Sequence, residues 1–436
     1  VLVTLDTTRA DRLGPYGFED ARTPRLDALA SEAIVYEHAY STSSWTLPSH
    51  ASLMTGLLPM QHGAQASTTH RAGSLGYPVR GLGAHFETLA ERVRAAGYTT
   101  VAVVAGPALA IEHGLDQGFD VYHDALDGPG EKVTGRRGAD VADLAIAAIQ
   151  DAGDAPLFLF VNFFDPHAPY APPGSLHAGA APPDGRTLVK PFIQHLESGA
   201  PARPVVELSA PGRKILDAML AGYDAEIAYM DLHFGRVLDA LEERGRKNLI
   251  VVTADHGESF GEHYLLSHGA HIYEDNVRVP LIVRTPDGTG AGTRVATPVQ
   301  NHRAFATALG AAGLEVPTEL GVEPLSGAPR PIVTEVLRSE NNIRLFGPFF
   351  DRDLWAIRDQ ADKLITSSRG EAALYDLAVD PGELHDRSSE APERLAVLRE
   401  TLSAIQQARP PRFDPDTRAA PDADTQEALR ALGYIE

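Results

Sequence analysis

Short apolar runs alternate with amphipathic helical patterns through about the first 340 residues, and this rhythm constrains the fold more than any other feature. Val1 to Leu5 reads as a buried strand. Thr23-Pro24 opens a helix carrying Leu26, Leu29, Ala30 and Ala33 on one face. Phe86 to Ala96 is a second helix, closed by Gly97, and Thr99 to Ala105 is the strand after it. The pattern continues with a helix at Ala139 to Ala152 and an apolar strand at Leu157 to Phe164. A long helix at Leu216 to Arg244 and a strand at Asn248 to Thr253 follow. A further strand at Leu281 to Arg284 and a helix at Arg303 to Gly313 complete it. Such alternation predicts an α/β fold with a large, mainly parallel sheet sandwiched by helices. Sheets of this kind bind ligands beyond the carboxyl ends of their strands, so the residues that leave each strand are where chemistry is to be sought.

From about Asn341 the rhythm changes. Short strands are expected around Arg344-Leu345, Leu354 to Ile357, Lys363 to Thr366 and Ala373 to Leu377, then a helix from Pro392 to Gln407. This predicts a small C-terminal antiparallel sheet with one helix, and a division into a large unit over 1–340 and a small α+β unit over 341–436. The 436 residues are more than one ordinary core holds. Ala168 to Pro211 interrupts the pattern. It is rich in Pro, Gly and Ala, a long surface excursion suited to a lid or substrate wall.

Charge excludes several partners. The chain has 38 Lys and Arg against 59 Asp and Glu, a net charge of −21. A field of that sign repels nucleic acid and anionic lipid, and an anionic substrate then needs a local positive centre such as a metal ion. The absence of cysteine removes disulfides, thiolate metal sites and cysteine nucleophiles. No apolar run is long enough to span a bilayer. The chain opens at Val1 on a strand rather than on an initiator Met, so the sequence leaves the compartment unknown, with an exported or periplasmic setting placed ahead of a cytoplasmic one.

Four segments carry candidate chemistry. Asp6 ends the first strand and points a carboxylate into the ligand crevice, although Asp after a strand also suits a turn. In Ser44-Trp45-Thr46-Leu47-Pro48-Ser49-His50, Pro48 lies in a first helical turn and Thr46 falls at the N-cap. Read alone, Thr46 suits capping better than catalysis. A threonine hydroxyl held by a cation at a helix N-terminus is also a nucleophile. Val251-Val252-Thr253-Ala254-Asp255-His256-Gly257 is an apolar strand that ends in two metal-ligand side chains, which structure alone seldom requires. Glu262-His263, Ser267-His268-Gly269 and His271 follow. Phe163-Phe164-Asp165-Pro166-His167-Ala168-Pro169 leaves another strand, its prolines holding His167 near the same crevice.

These segments resemble the sulfatase branch of the alkaline phosphatase superfamily, almost end to end. The likeness covers Asp6-Thr7-Thr8-Arg9-Ala10-Asp11, Thr23 to Asp27, Trp45 to Gly56 and His62-Gly63. It continues through Gly114 to Asp120, Asp165 to Tyr170, Tyr223 to Asp231, Thr253 to Glu262, Tyr273 to Val283, Leu374 to Leu377 and Asp380 to Glu383. The resemblance implies an alkaline phosphatase-like domain with a small C-terminal domain. It implies that Asp6, Asp255 and His256 bind a divalent metal, joined by Thr46 at the nucleophile position. His167 is similar to the histidine that contacts substrate or leaving-group oxygen. His268 falls where many relatives carry a lysine touching the transferred group. His50 and His271 are counted among the substrate-binding residues, and Asp165 stays outside the metal shell.

The departures carry as much information. Sulfatases read Cys or Ser, x, Pro, Ser, Arg and oxidise the first residue to formylglycine; here those positions are Thr46, Leu47, Pro48, Ser49 and His50. Threonine cannot become formylglycine, because its β-carbon already bears a methyl group. The family's paired aspartates are Asp6 and Thr7, so one metal carboxylate is missing. Two carboxylates, an imidazole and a hydroxyl suit Mn²⁺ or Zn²⁺ ahead of Ca²⁺ or Mg²⁺. One ion is expected, and a second on histidines such as His268 or His271 is left open. Related phosphodiesterases and phosphonate monoester hydrolases share the lost aspartate. The expected activity is therefore metal-dependent hydrolysis of a small-molecule phosphodiester or phosphonate monoester through a covalent Thr46 intermediate. The alternatives are a sulfate ester hydrolase, a phosphoryl-group transferase and a non-catalytic member of the family.

Overall fold

The computed structural model describes residues 1–66, 79–125, 135–173, 188, 192–194, 196, 208–340, 342–343, 347–413 and 427. Most of the Pro-rich stretch from Ala168 to Pro211 and the strand expected at Arg344-Leu345 lie outside them.

Eight strands form the main sheet: β1 (Leu2–Leu5), β2 (Ile34–Tyr36), β3 (Thr99–Val103), β4 (Val121–His123), β5 (Leu157–Phe163), β6 (Ile250–Thr253), β7 (Leu281–Arg284) and β8 (Arg294–Val295). Their order is β8-β2-β7-β6-β1-β5-β3-β4. Only β7 opposes its neighbours β2 and β6; every other pairing is parallel. The first, fifth and sixth strands are thus central, and their carboxyl ends lie side by side.

The two-residue period of a strand sorts side chains between the faces. Leu2, Phe158, Phe160 and Val251 join the core beneath α2 (Thr46–Thr55), α3 (Leu89–Ala95) and α6 (Ala304–Ala311). Val3, Leu5, Leu159, Val161, Phe163 and Val252 join the opposite core, under α1 (Pro24–Ser31), α4 (Gly138–Asp151) and α5 (Ala210–Glu243). By the same parity Thr4, Asp6 and Asn162 fall on the α2 side. The period that buries the core therefore also aims the polar residues at one helix.

Side-chain capping fixes two helix starts. The expected helix from Phe86 begins at Leu89. Thr88 Oγ1 accepts from Glu91 N (3.1 Å) while Thr88 N donates to Glu91 Oε2 (2.8 Å), a reciprocal cap that fixes the first turn. The helix α1 starts at Pro24 as expected, yet its cap is remote. Asp231 on α5 accepts from Arg25 N (3.0 Å) and Leu26 N (2.8 Å). Among the described residues no helix is long and apolar enough to cross a membrane.

The small C-terminal sheet is antiparallel, in the order β9 (Ile332–Val336), β10 (Leu354–Asp359), β11 (Asp362–Ser367), β12 (Ala372–Asp376), with α7 (Pro392–Ala408) packed on it. Its first strand comes from residues before 340. It reaches the segment leading into α2: Glu335 N donates to Thr42 O (3.0 Å) and Thr334 Oγ1 to Ser41 O (2.9 Å). Glu335 itself is buried and accepts from Gln65 Nε2 (3.1 Å).

Burial pushes the Glu335 carboxyl up to about 7, against the opposing pull of its Gln65 and Trp355 donors. The sign follows from linkage. A folded-state value above the unfolded one means that ionisation opposes folding, so this group's contribution is best below about pH 4.5 and worsens as pH rises through about 7. Glu335→Gln should therefore gain about 2 kcal/mol relative to the wild type between pH 5 and pH 8, measured by urea unfolding at the two values. A pH-independent difference would show that this carboxyl is not held out of its usual range.

Candidate active site

The site forms where α2 meets the ends of β1 and β6. Asp6 follows β1, and Asp255 and His256 follow β6; all three are fully buried, and their ligand atoms lie within 4.8 Å of one another. Thr7 adopts a positive φ of 53°, a strained conformation for a β-branched residue. That turn sends Thr7 N to Asp255 Oδ1 (3.2 Å), and the Tyr223 hydroxyl on α5 donates to Thr7 O (2.7 Å).

The helix α2 begins one residue earlier than a threonine cap requires. Trp45 is the extended N-cap residue (φ −141°, ψ 147°), and Thr46 is the first helical residue, without a capping bond. The expectation of a capping Thr46 is therefore corrected: its hydroxyl turns toward His256 Nε2, at 3.2 Å. Gly56, at φ 70°, ends the helix.

Hydrogen-bond directions fix the tautomers. His256 Nδ1 lies 2.9 Å from Gly257 O, a carbonyl that only accepts, so Nδ1 carries the proton and Nε2 a lone pair. That lone pair faces Asp255 Oδ2 at 3.2 Å. Asp255 Oδ2 and Asp6 Oδ1 are both buried without a hydrogen-bond donor. Burial raises both carboxyls, and Asp255 raises Asp6 further. Burial, then the neighbouring His268, lowers His256. Two buried carboxyl groups and an imidazole lone pair converging with no hydrogen-bond donor between them form an acceptor set that a cation satisfies. A divalent metal fits this donor set.

Beneath the site runs an ordered polar chain. Ala105 N donates to Asn162 Oδ1 (3.2 Å), and Asn162 Nδ2 to Thr4 Oγ1 (3.1 Å) and Asp6 Oδ2 (3.5 Å). Thr4 Oγ1 meets His50 Nε2 at 2.9 Å, and His50 Nδ1 donates to Thr46 O (2.8 Å). Both ring nitrogens of His50 are therefore engaged inside the protein, and burial lowers its pKa. The residue ties α2 to β1 and is fully buried. His50→Ala should cost about 3 kcal/mol in chemical unfolding, because it leaves Thr4 Oγ1 and Thr46 O without their partner. A loss under about 1 kcal/mol would mean the chain of bonds is not structural.

Two of the other histidines named from sequence gather beside His256. The His268 ring lies 4.3 Å from that of His256 and 5.0 Å from that of His167. His167 stacks on Phe164 at 4.3 Å and donates from Nδ1 to Ala168 O (2.7 Å). Burial, then His268, brings His167 down to about 3; burial, then His271, brings His268 down to about 3. His271 Nε2 lies 2.9 Å from Ser259 Oγ, which also bonds Asp275. Asp165 turns from the metal ligands and accepts from Gly138 N (2.9 Å), at the start of α4.

Sequence reasoning missed two buried members. Asn162 lies within a strand read as apolar, and a lone amide in an apolar run was its signal. Glu258, two residues past His256, is 1 % exposed, lies 3.3 Å from His268 Nδ1 and has its carboxyl raised to about 7 by burial. Its signal is weak, since charge at a loop start is common.

The sulfatase family model matches residues 1–314. Over 430 residues the chain is 26% identical to YidJ, an uncharacterized sulfatase of Escherichia coli strain K12, covering 88% of this chain and 82% of that protein. It is 25% identical over 468 residues to an arylsulfatase of Clostridium perfringens, covering 92% and 93%. Among solved structures, the phosphonate monoester hydrolase of Agrobacterium radiobacter superposes with a TM-score of 0.69 at 25% identity, covering 93% of this chain and 95% of that one. Members of this superfamily are metal-dependent, and the buried Asp6, Asp255 and His256 cluster has the composition and spacing of a site for an ion. A family match that spans both strands supplying that cluster, and the helix between them, makes the chain a member of the sulfatase family, and with it an ester hydrolase of the alkaline phosphatase superfamily.

Proposed function

We propose that the chain hydrolyses phosphodiesters or phosphonate monoesters by a covalent path through Thr46. The observation that carries this reading is the side chain itself, a threonine hydroxyl 3.2 Å from His256 Nε2 at the family's nucleophile position. A formylglycine hydrate expels sulfate by hemiacetal breakdown, with no attack by water on sulfur. A threonine sulfate ester has no such exit. A threonine phosphoester is released by in-line attack of water at phosphorus. The likeness to an arylsulfatase favours sulfate and the likeness to a phosphonate monoester hydrolase favours phosphorus, so the chemistry of threonine decides between them.

Asp6, Asp255 and His256 would hold the metal, with Thr46 Oγ1 as a fourth ligand, a set that suits Mn²⁺ or Zn²⁺. A divalent cation bound there lowers the Thr46 hydroxyl pKa and offsets charge on the phosphoryl oxygens. Thr46 Oγ1 forms a bond to phosphorus as the bond to the leaving oxygen breaks. The proton that Thr46 loses is the proton the leaving alcohol gains. His167 and His268, kept neutral at pH 7 by burial, are the imidazoles that carry it. In the second step water loses a proton to the same pair, and Thr46 regains one as its bond to phosphorus breaks. Glu258 and His50 act by positioning, one on His268 and the other on the start of α2.

The test is a turnover panel on metal-loaded protein. One chromophoric leaving group is presented on a phosphodiester, a phosphonate monoester, a phosphate monoester and a sulfate ester. The phosphodiester or the phosphonate should be preferred; a preference for sulfate would overturn the reading.

A further inference from the structure

Glu226 is an acid on α5 that the steps above do not use, and it is fully buried. Its carboxylate meets Arg137, the residue directly before α4, whose Nη1 donates to Glu226 Oε1 (3.1 Å) and Oε2 (3.3 Å). Together they hold Ala171 by both of its backbone polar groups. Ala171 N donates to Glu226 Oε1 (2.8 Å), and Arg137 Nη2 donates to Ala171 O (2.8 Å). Removing a carboxylate from water is costly even when it is paired, so a loop held in this way is held firmly only because the geometry is complete.

The loop so held leaves β5 and carries His167. Its near end is tied to the same segment as its far end, for Asp165 Oδ1 accepts from Gly138 N (2.9 Å), the residue after Arg137. Arg137 is also the guanidinium that faces both buried carboxyl groups, Glu226 and Asp165. Phe164, on which His167 stacks, lies between two glycines. A Cβ on Gly106 would come within 2.7 Å of the Phe164 ring and one on Gly135 within 2.3 Å. Tyr170, next to Ala171, hydrogen-bonds Glu258, which in turn lies 3.3 Å from His268 Nδ1. Both histidines are thus connected to the one loop.

We propose that Arg137 and Glu226 are positioning residues for proton transfer to the leaving group. They fix the loop so that His167 directly, and His268 through Tyr170 and Glu258, meet the departing oxygen. The proposal rests on the ester hydrolase reading, in which these two histidines carry the proton that the leaving alcohol gains. A phenolate activated by a nitro group departs with little help from a proton, whereas an unactivated phenol needs one as its bond breaks. A loosened brace therefore slows the second and spares the first. Loss of fold or of metal lowers both alike.

The test measures kcat/KM for the 4-nitrophenyl and phenyl esters of one phosphonate on metal-loaded protein. Glu226→Gln keeps the side-chain volume and a carbonyl for Ala171 N, and Arg137→Met removes the fork at an exposed side chain. In each variant the phenyl ester should lose about 100-fold and the nitrophenyl ester less than about 5-fold. Arg137→Lys restores the charge without the two-pronged geometry and should fall between wild type and Arg137→Met. If Arg137→Met does not fold, Glu226→Gln carries the comparison. Equal losses on the two esters, or no loss on either, would overturn the positioning role. If the wild type turns over neither ester, the function reading fails, and the brace is judged by ¹⁵N NMR of the His167 Nδ1 proton, which Ala168 O accepts at 2.7 Å. Loss of that resonance to exchange with water in Glu226→Gln supports the brace, and an unchanged resonance overturns it.

Discussion

Thr46→Ala lowers kcat for the preferred ester by a factor of at least about 10³, while metal binding persists and the fold is kept. Alanine is a better helix former than threonine, and Thr46 makes no capping bond, so α2 loses nothing it needs at its first residue. What the substitution removes is the oxygen that faces His256 Nε2 at 3.2 Å. Asp6, Asp255 and His256 remain, three of the four atoms assigned to the metal. Thr46→Ser retains the oxygen and loses the methyl group that restricts χ1, so it should keep activity to within about tenfold of wild type. Full activity in Thr46→Ala, with metal content unchanged, would show that water attacks the ester directly and that Thr46 only lines the site.

Metal depletion is the second large effect. Chelation should abolish turnover and lower the midpoint of thermal unfolding, and restoring Mn²⁺ or Zn²⁺ at about 100 times its Kd should recover about 2.7 kcal/mol of unfolding free energy. The reason lies in the electrostatics of the metal-free site. Asp6 Oδ1 and Asp255 Oδ2 are buried without donors, and the His256 lone pair points at Asp255. A cation that reaches these acceptors binds the folded chain alone, because the three residues converge only when β1 and β6 lie side by side. Asp255→Asn should erase the metal-dependent shift in the midpoint, followed by calorimetry with and without metal. A shift of undiminished size in that variant would place the metal elsewhere.

The layered α/β architecture and the positions of Asp6, Asp255 and His256 were legible because both follow from local pattern. Apolar runs of strand length report the sheet, and a ligand-type side chain directly after such a run reports its carboxyl edge. The roles of His167 and His268 were legible only through family likeness, since the two lie about 100 residues apart in sequence and meet through tertiary packing. His50 illustrates the limit. Its place after Pro48 and Ser49 suggested contact with substrate. Its two hydrogen bonds instead go to Thr4 on β1 and Thr46 within α2, and the first of these depends on how the helix is laid over the sheet. The local reading of Thr46 as an N-cap gives way for a related reason. An N-cap preference is a local statement, whereas a hydroxyl near His256 is drawn away by a partner 210 residues distant. The short-range signal that was present and unread is the Thr88-to-Glu91 capping box, which sets the start of α3.

The covalent path through Thr46 has one direct test, the stereochemistry at phosphorus. A phosphorothioate diester of single configuration is hydrolysed in ¹⁸O-labelled water and the product configuration is determined. Each in-line displacement inverts the centre, so attack by Thr46 followed by attack of water gives overall retention. Retention is the predicted result. Inversion would mean a single displacement by water, and it would contradict Thr46 as the nucleophile.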